Sequence, residues 1–195
     1  MHIVWRCVVT ITLGLCGCAD RKVNRFHLDE HDTIIVGESR FPVKDEYSFP
    51  IAEHDKWKSE FQDCVRCMVG SNEPVVVSAD SEAHSLAFCQ VVAALCEMNV
   101  SVSVDLQDRK MNVMSGVPMS FPASRSYYVD NLCVSRFDAQ GEASASGVVV
   151  VDDCAEEILL RCNVKTSMAR VMSVLDACAG KGCQLVVLVN SLSEL

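Results

Sequence analysis

The chain has little positive charge. Its 17 lysines and arginines face 26 aspartates and glutamates, a net charge of −9. Nowhere do the cations gather into the stripe that a nucleic-acid backbone needs or the polybasic patch that holds anionic lipid. Nucleic acid is therefore not an expected partner, and the acidity itself speaks only for solubility. A Gly-rich phosphate loop is also missing, as is a Ser/His/acid set in a supporting context, which removes the simplest nucleotide-binding and hydrolase readings. Near the N-terminus the uncharged stretch Cys7 to Ala19 falls short of the ~20 helical residues that a bilayer core requires.

That stretch suits the apolar region of a secretory signal instead. Within it, Leu15-Cys16-Gly17-Cys18 resembles a bacterial lipobox, with Leu at −3, a small residue at −1 and Cys as the first mature residue. The resemblance implies a signal peptide over 1–17, cleavage after Gly17 and lipidation of Cys18. Arg21, Lys22 and Arg25 after the stretch outweigh Arg6 before it, which disfavours an anchor with its N-terminus in the cytoplasm. The expected location is the bacterial cell envelope, lipid-anchored and facing the periplasm. Of the 12 cysteines, Cys7 and Cys16 leave with the signal and Cys18 carries the lipid. An odd number then remains in a compartment that permits disulfides. Cys64, Cys89, Cys96 and Cys178 fall on apolar positions of predicted helices, where a thiol behaves as a small hydrophobe.

The charged segment that follows, 18–31, reads as a tether. Thr33 to Val36 and Glu46 to Ile51 read as strands. Asp55 to Val69 is an amphipathic helix, with Trp57, Phe61, Cys64, Val65 and Met68 on one stripe and Gly70 as its stop. Then come a strand Val75–Ala79, a helix from about Ser85 to Met98 stopped by Asn99, and an alternating strand Val100–Val104. Together these make a βαβ unit. Residues 107–126, with Pro118, Pro122 and no sustained period, read as a linker. Strands at Leu132–Arg136 and Val148–Asp152 flank the turn-rich Asp138–Glu142. A second βαβ unit follows: Ile158–Cys162, a helix Ser167–Ala179, Gly182 as stop, and Leu185–Asn190.

The two βαβ units slide onto each other without a gap, 74–106 on 157–189. Val75/Ile158, Val77/Leu160, Val91/Val174, Leu95/Cys178 and Val104/Val187 stay apolar together, and Asn99 falls on Gly182. Few positions are identical, so the likeness is one of pattern, which a duplication or two generic units would both produce. The fold class expected is α/β (α+β).

"PVVVSAD", preceded by an amphipathic helix and followed by a helix and a valine strand, is similar to the periplasmic domain of the ExbD/TolR biopolymer-transport family. "VMSVLDACAGKGCQLVVLVN" and the hairpin "LCVSRFDAQGE" in the second half resemble other parts of that domain. The resemblance implies two small ExbD/TolR-like modules, 32–106 and an abbreviated 127–195. It implies a domain that works in pairs and binds envelope proteins and, in some members, peptidoglycan. The family's membrane helix and its proton-path Asp have no counterpart here, so a binding or scaffolding role without enzyme activity, cofactor or metal is what carries over. An exposed edge strand in such a module accepts an extended peptide; Thr33, Ile34, Ile35 and Val36 are the candidate edge. The alternative to paired modules is one continuous sheet built from both halves.

Other constellations are weighed against plain structural roles. His27-Leu-Asp-Glu30-His31 matches H-x-x-E-H, a zinc-peptidase pattern that needs both histidines on one helix face, whereas here it lies in the tether. Cys64-Val-Arg-Cys67 is a C-x-x-C late in its helix, where the dipole raises a thiol pKa rather than lowering it. Thiol or metal handling through Cys64/Cys67 and His27/His31 is the alternative function. Asp152, Asp153, Glu156 and Glu157 form an acidic loop, usually a solvated feature. Asp80 and Asn163 end equivalent strands and are expected to cap the helices after them.

Overall fold

The computed structural model describes residues 24–69, 74–106, 109–115, 126–129, 134–137, 143–146 and 156–191. The signal segment, Cys18, Gly70 and the expected strand Val148–Asp152 lie outside them. In chain order the elements are β1 (Arg25–Leu28), β2 (Thr33–Val36), β3 (Ser39–Pro42), α1 (Ile51–Met68), β4 (Val75–Ala79), α2 (Ser85–Glu97), β5 (Val102–Asp105) and β6 (Lys110–Ser115). There follow β7 (Ser126–Val129), β8 (Val134–Phe137), β9 (Ala143–Ser146), β10 (Glu157–Asn163), α3 (Met168–Gly180) and β11 (Leu185–Ser191).

All the described strands join one eleven-stranded mixed sheet, in the order β3-β2-β1-β4-β5-β6-β11-β10-β7-β8-β9. The order is a palindrome about β6. On one side β1 runs parallel to β4 and antiparallel to β2, which pairs antiparallel with β3. On the other, β7 runs parallel to β10 and antiparallel to β8, which pairs antiparallel with β9. β4–β5 and β10–β11 are the two parallel pairs of the βαβ units. Because β6 is antiparallel to β5 and parallel to β11, β5 and β11 run in opposite directions. Equivalent strands must do so about a two-fold axis perpendicular to the sheet.

The three described helices pack on one face of the sheet, where the main core lies. Alternation along each strand sends Val75 and Val77, Val104, Met111 and Val113, Ile158 and Leu160, Val186 and Leu188 to that face, all buried. In α1 the predicted stripe is buried at Trp57, Phe61 and Val65. Phe61 stacks on Trp57 at 5.8 Å and meets Phe26 and Phe41 edge-on at 6.2 and 5.9 Å. α2 is buried on most sides, at Leu86, Ala87, Phe88, Cys89, Val91, Val92, Ala94 and Leu95, because it packs over β6, β10 and β11 as well as β5. On the other face Val76, Leu159 and Val187 are buried too.

Several expectations need correction. The tether over 18–31 is not a tether in its described part. Arg25–Leu28 is an interior strand with Phe26 and Leu28 buried, and Asp29 closes the turn after it by accepting the N–H groups of His31 and Thr33. Glu46 to Ile51 is a turn and the start of α1, not a strand; Asp45 Oδ1 takes the N–H of Tyr47 and Ser48 and holds that turn. The linker 107–126 contains β6, whose residues alternate exposed and buried from Lys110 to Val113. The strands of both halves therefore form a single sheet, not two. β3, β7 and β9 were not anticipated; β8 covers the described part of the expected strand Leu132–Arg136.

Candidate functional site

The seam between the halves is where long-range polar contacts gather. Ser85 N–H donates to Thr166 C=O at 2.8 Å and Met168 N–H to Ala83 C=O at 2.7 Å. Under the offset that lays 74–106 on 157–189, these two bonds are images of each other. Between them His84 and Ser167, again equivalent positions, form an antiparallel bridge. The seam is further tied by Ser85 Oγ donating to Asn163 C=O at 2.8 Å and Thr166 Oγ1 donating to Val129 C=O at 3.2 Å. Asp32 docks the β1–β2 turn onto it, taking both the backbone N–H and the ring Nδ1 of His84 at 2.8 Å. Asp32 is left-handed (φ 55°), a conformation that Asp tolerates better than most residues.

A second polar set sits at the carboxyl ends of the parallel pair β1–β4. Directly across that pair, His27 Nδ1 lies 3.0 Å from Ser78 Oγ, and its Nε2 lies 3.3 Å from Asp80 Oδ1. The order serine, histidine, carboxylate is that of an acyl-transfer site. Its hydrogen bonds are those of a clamp, however. Ser78 Oγ donates to Phe26 C=O at 3.2 Å, and Asp80 Oδ2 accepts Glu30 N–H at 3.2 Å. A serine whose proton goes to a strand carbonyl is not set to lose it to the imidazole, and the network ties β1 and its turn to β4.

The residues singled out from the sequence are placed as follows. Thr33, Ile34, Ile35 and Val36 form β2, flanked by β1 and β3, so they are not an edge. Among the described strands the edge on that side is β3. Val43 N–H donates to Asp32 C=O, so by the alternation of an antiparallel ladder Phe41 and Ser39 also turn their polar groups to β2. That leaves Arg40 and Pro42 facing out. Pro42 has no N–H to offer and Arg40 carries charge, two of the devices that blunt an edge against pairing. His27 lies in β1 and His31 in the turn beyond it, paired with Glu30 at 3.7 Å, so they share no helix face. Among the described residues no group of three His, Cys, Asp or Glu is placed to hold a metal.

Cys67 is exposed near the C-terminal end of α1, while Cys64 Sγ lies 3.6 Å from Met68 Sδ. Burial pushes the Cys89 thiol up to about 12 and raises Cys162 well above the ordinary thiol range, with the neighbouring Cys89 a second cause. Neither is a thiolate at neutral pH, as a nucleophile must be. Asp80 and Asn163 do not cap helices. The N-cap positions of α2 and α3 are His84 and Ser167, without side-chain cap bonds; Asp80 serves the clamp, and Asn163 Oδ1 accepts Lys165 N–H at 3.0 Å. Of the acidic loop only Glu156 and Glu157 are described. The Asp32–His84 contact left no local signal, since its partners lie far apart along the chain.

No family model, curated protein or solved structure matches this chain. Its function has to follow from its own geometry.

Proposed function

We propose that this protein is a non-catalytic binding component of a bacterial envelope system for biopolymer transport or envelope integrity. It is held to the membrane by a lipid on Cys18 and faces the periplasm, with envelope proteins, or the peptidoglycan they attach to, as partners. The observation that most supports this is the palindromic sheet with its mirrored bonds at the seam. A domain of the ExbD/TolR type works as a pair, and two such units fused about one axis would carry the pair within one chain. The two units then stand as products of a duplication, with β6 as the strand that splices them. The Ser78–His27–Asp80 clamp and the protonated thiols fit binding better than chemistry.

Partner capture does not run through β2, which has a neighbour on each side. The test is cross-linking in intact envelopes with the native chain and with Cys18→Ser. A cross-link to one envelope protein or to peptidoglycan, lost when Cys18→Ser releases the protein from the membrane fraction, is the expected result. Retention of Cys18→Ser in the membrane without change, or an absence of any saturable cross-link, would argue against this role.

A further inference from the structure

The offset that relates the two βαβ units also relates two clefts. One, of about 250 Å3, opens between α2 and the ends of β6 and β11 and is lined by Cys89, Gln90, Ala93 and Val189. The other, of about 410 Å3, opens between α3 and the ends of β4 and β5 and is lined by Met172, Ser173, Asp176 and Leu106. Met172 stands where Cys89 does, Ser173 where Gln90 does, Asp176 where Ala93 does, and Leu106 where Val189 does. Each cleft sets a helix of one unit against a strand end of the other. Each also lies beyond the carboxyl ends of a parallel pair, β6–β11 and β4–β5, the place where open α/β sheets receive ligands.

We propose that the cleft between α2 and β11 binds a small organic cation rich in N–H donors, an alkyl ammonium or guanidinium. Its described lining has donors on Tyr47, Lys58, Gln90, Ser115 and Asn190, but its charge is set by two carboxylates against one lysine. His54 Nδ1 lies 2.6 Å from Lys44 C=O. A carbonyl only accepts, so in the neutral ring the proton sits on Nδ1 and Nε2 is left as an acceptor. Glu46 and Glu97 bring the two carboxylates, and Glu97 already accepts from Lys58 and from Gln62, each at 3.2 Å. That leaves Glu46 as the carboxylate of the described lining with no ion pair. The balance is negative with that cation spoken for. Asn190 also lines the cleft, and its Oδ1 is buried with no hydrogen-bond partner; a turn about χ2 would hand that acceptor to a ligand. At 250 Å3 the space lies just below the usual range of ligand pockets (~300–1,000 Å3), which restricts the occupant to a small molecule. The sister cleft has diverged. Arg109 faces its Asp176 at 3.8 Å and Arg25 reaches its Asp105 at 3.2 Å, so both of its carboxylates are paired with arginines and the two sites are not interchangeable.

Agmatine, which carries one ammonium and one guanidinium, is the probe, and butyrate is the anionic control. Calorimetric titration of the full chain should show saturable binding of agmatine and none of butyrate. Ala93→Leu, which fills the cleft from α2, should abolish the agmatine signal. Should that variant fail to fold, Glu46→Gln on the exposed turn should weaken binding roughly tenfold, the size of one charge-assisted contact. No saturable binding of agmatine, equal binding of butyrate, or binding left unchanged by the variants would overturn the assignment.

Discussion

Cys89 and Cys162 are thiols that burial keeps protonated, and this sets a direction for stability against pH. Their folded pKa values are raised, Cys89 to about 12, while the unfolded chain releases the same protons in the ordinary thiol range. The stability this supplies is complete below that range and is lost as pH rises through it towards the folded value. Each thiol contributes a slope of about 1.4 kcal/mol per pH unit. Urea unfolding between pH 8 and about 10.5 should therefore show a falling free energy, and Cys89→Ala, though less stable at neutral pH, should fall less steeply. An identical slope in the variant would remove Cys89 as its source. Placement of these thiols was legible from the sequence: Cys89 and Cys178 are buried and Cys64 and Cys96 half-buried, as their apolar helical positions require. Their surroundings were not legible, because Cys162 approaches Cys89 only through packing of α2 on β10.

At the scale of elements, local periodicity decided what could be read. α1, α2 and α3 carry a 3.6-residue stripe over three or more turns, and the stops at Asn99 (φ 59°) and Gly182 (φ 90°) are left-handed as expected. β4, β5, β10 and β11 came with the βαβ pattern. The short strands were lost where polar flanks hid them. β1 sits among charges and β6 among polar residues and prolines, and each is a strand because it has neighbours on both sides. Asn112 tests this for β6. Its side chain is exposed, yet its backbone is opposite Ser103 of β5 and Leu185 of β11. A proline there removes a ladder donor from the middle of the sheet. Asn112→Pro should cost at least about 3 kcal/mol, comparable to a proline inside a helix, while Asn112→Thr stays near neutral. Circular-dichroism melts in urea measure both. A proline variant as stable as the parent would mean that β6 does not bridge the halves.

For the whole molecule the open question in the sequence was whether two modules stand side by side or one domain spans both halves. Strand pairing between distant segments decides it, and neither hydropathy nor turn chemistry reports such pairing. The structure answers through α2. Its buried residues Phe88, Val91, Val92 and Leu95 are covered in part by β6, β10 and β11, and its first residue is bonded to Asn163 and Thr166. The first half alone would expose that helix to water, and with it apolar area worth about 25 cal/mol per Å2. Residues 24–106 expressed alone should therefore show no cooperative unfolding transition. Mixing with residues 107–195 should restore one, and the intact chain should unfold in a single step that coincides by circular dichroism and fluorescence. The mirrored bonds at the seam give the fragment one other route, pairing with a second copy of itself in place of the missing half. A fragment that folds cooperatively, as a monomer or as such a pair, would show that the halves are separable modules and that β6 merely joins them.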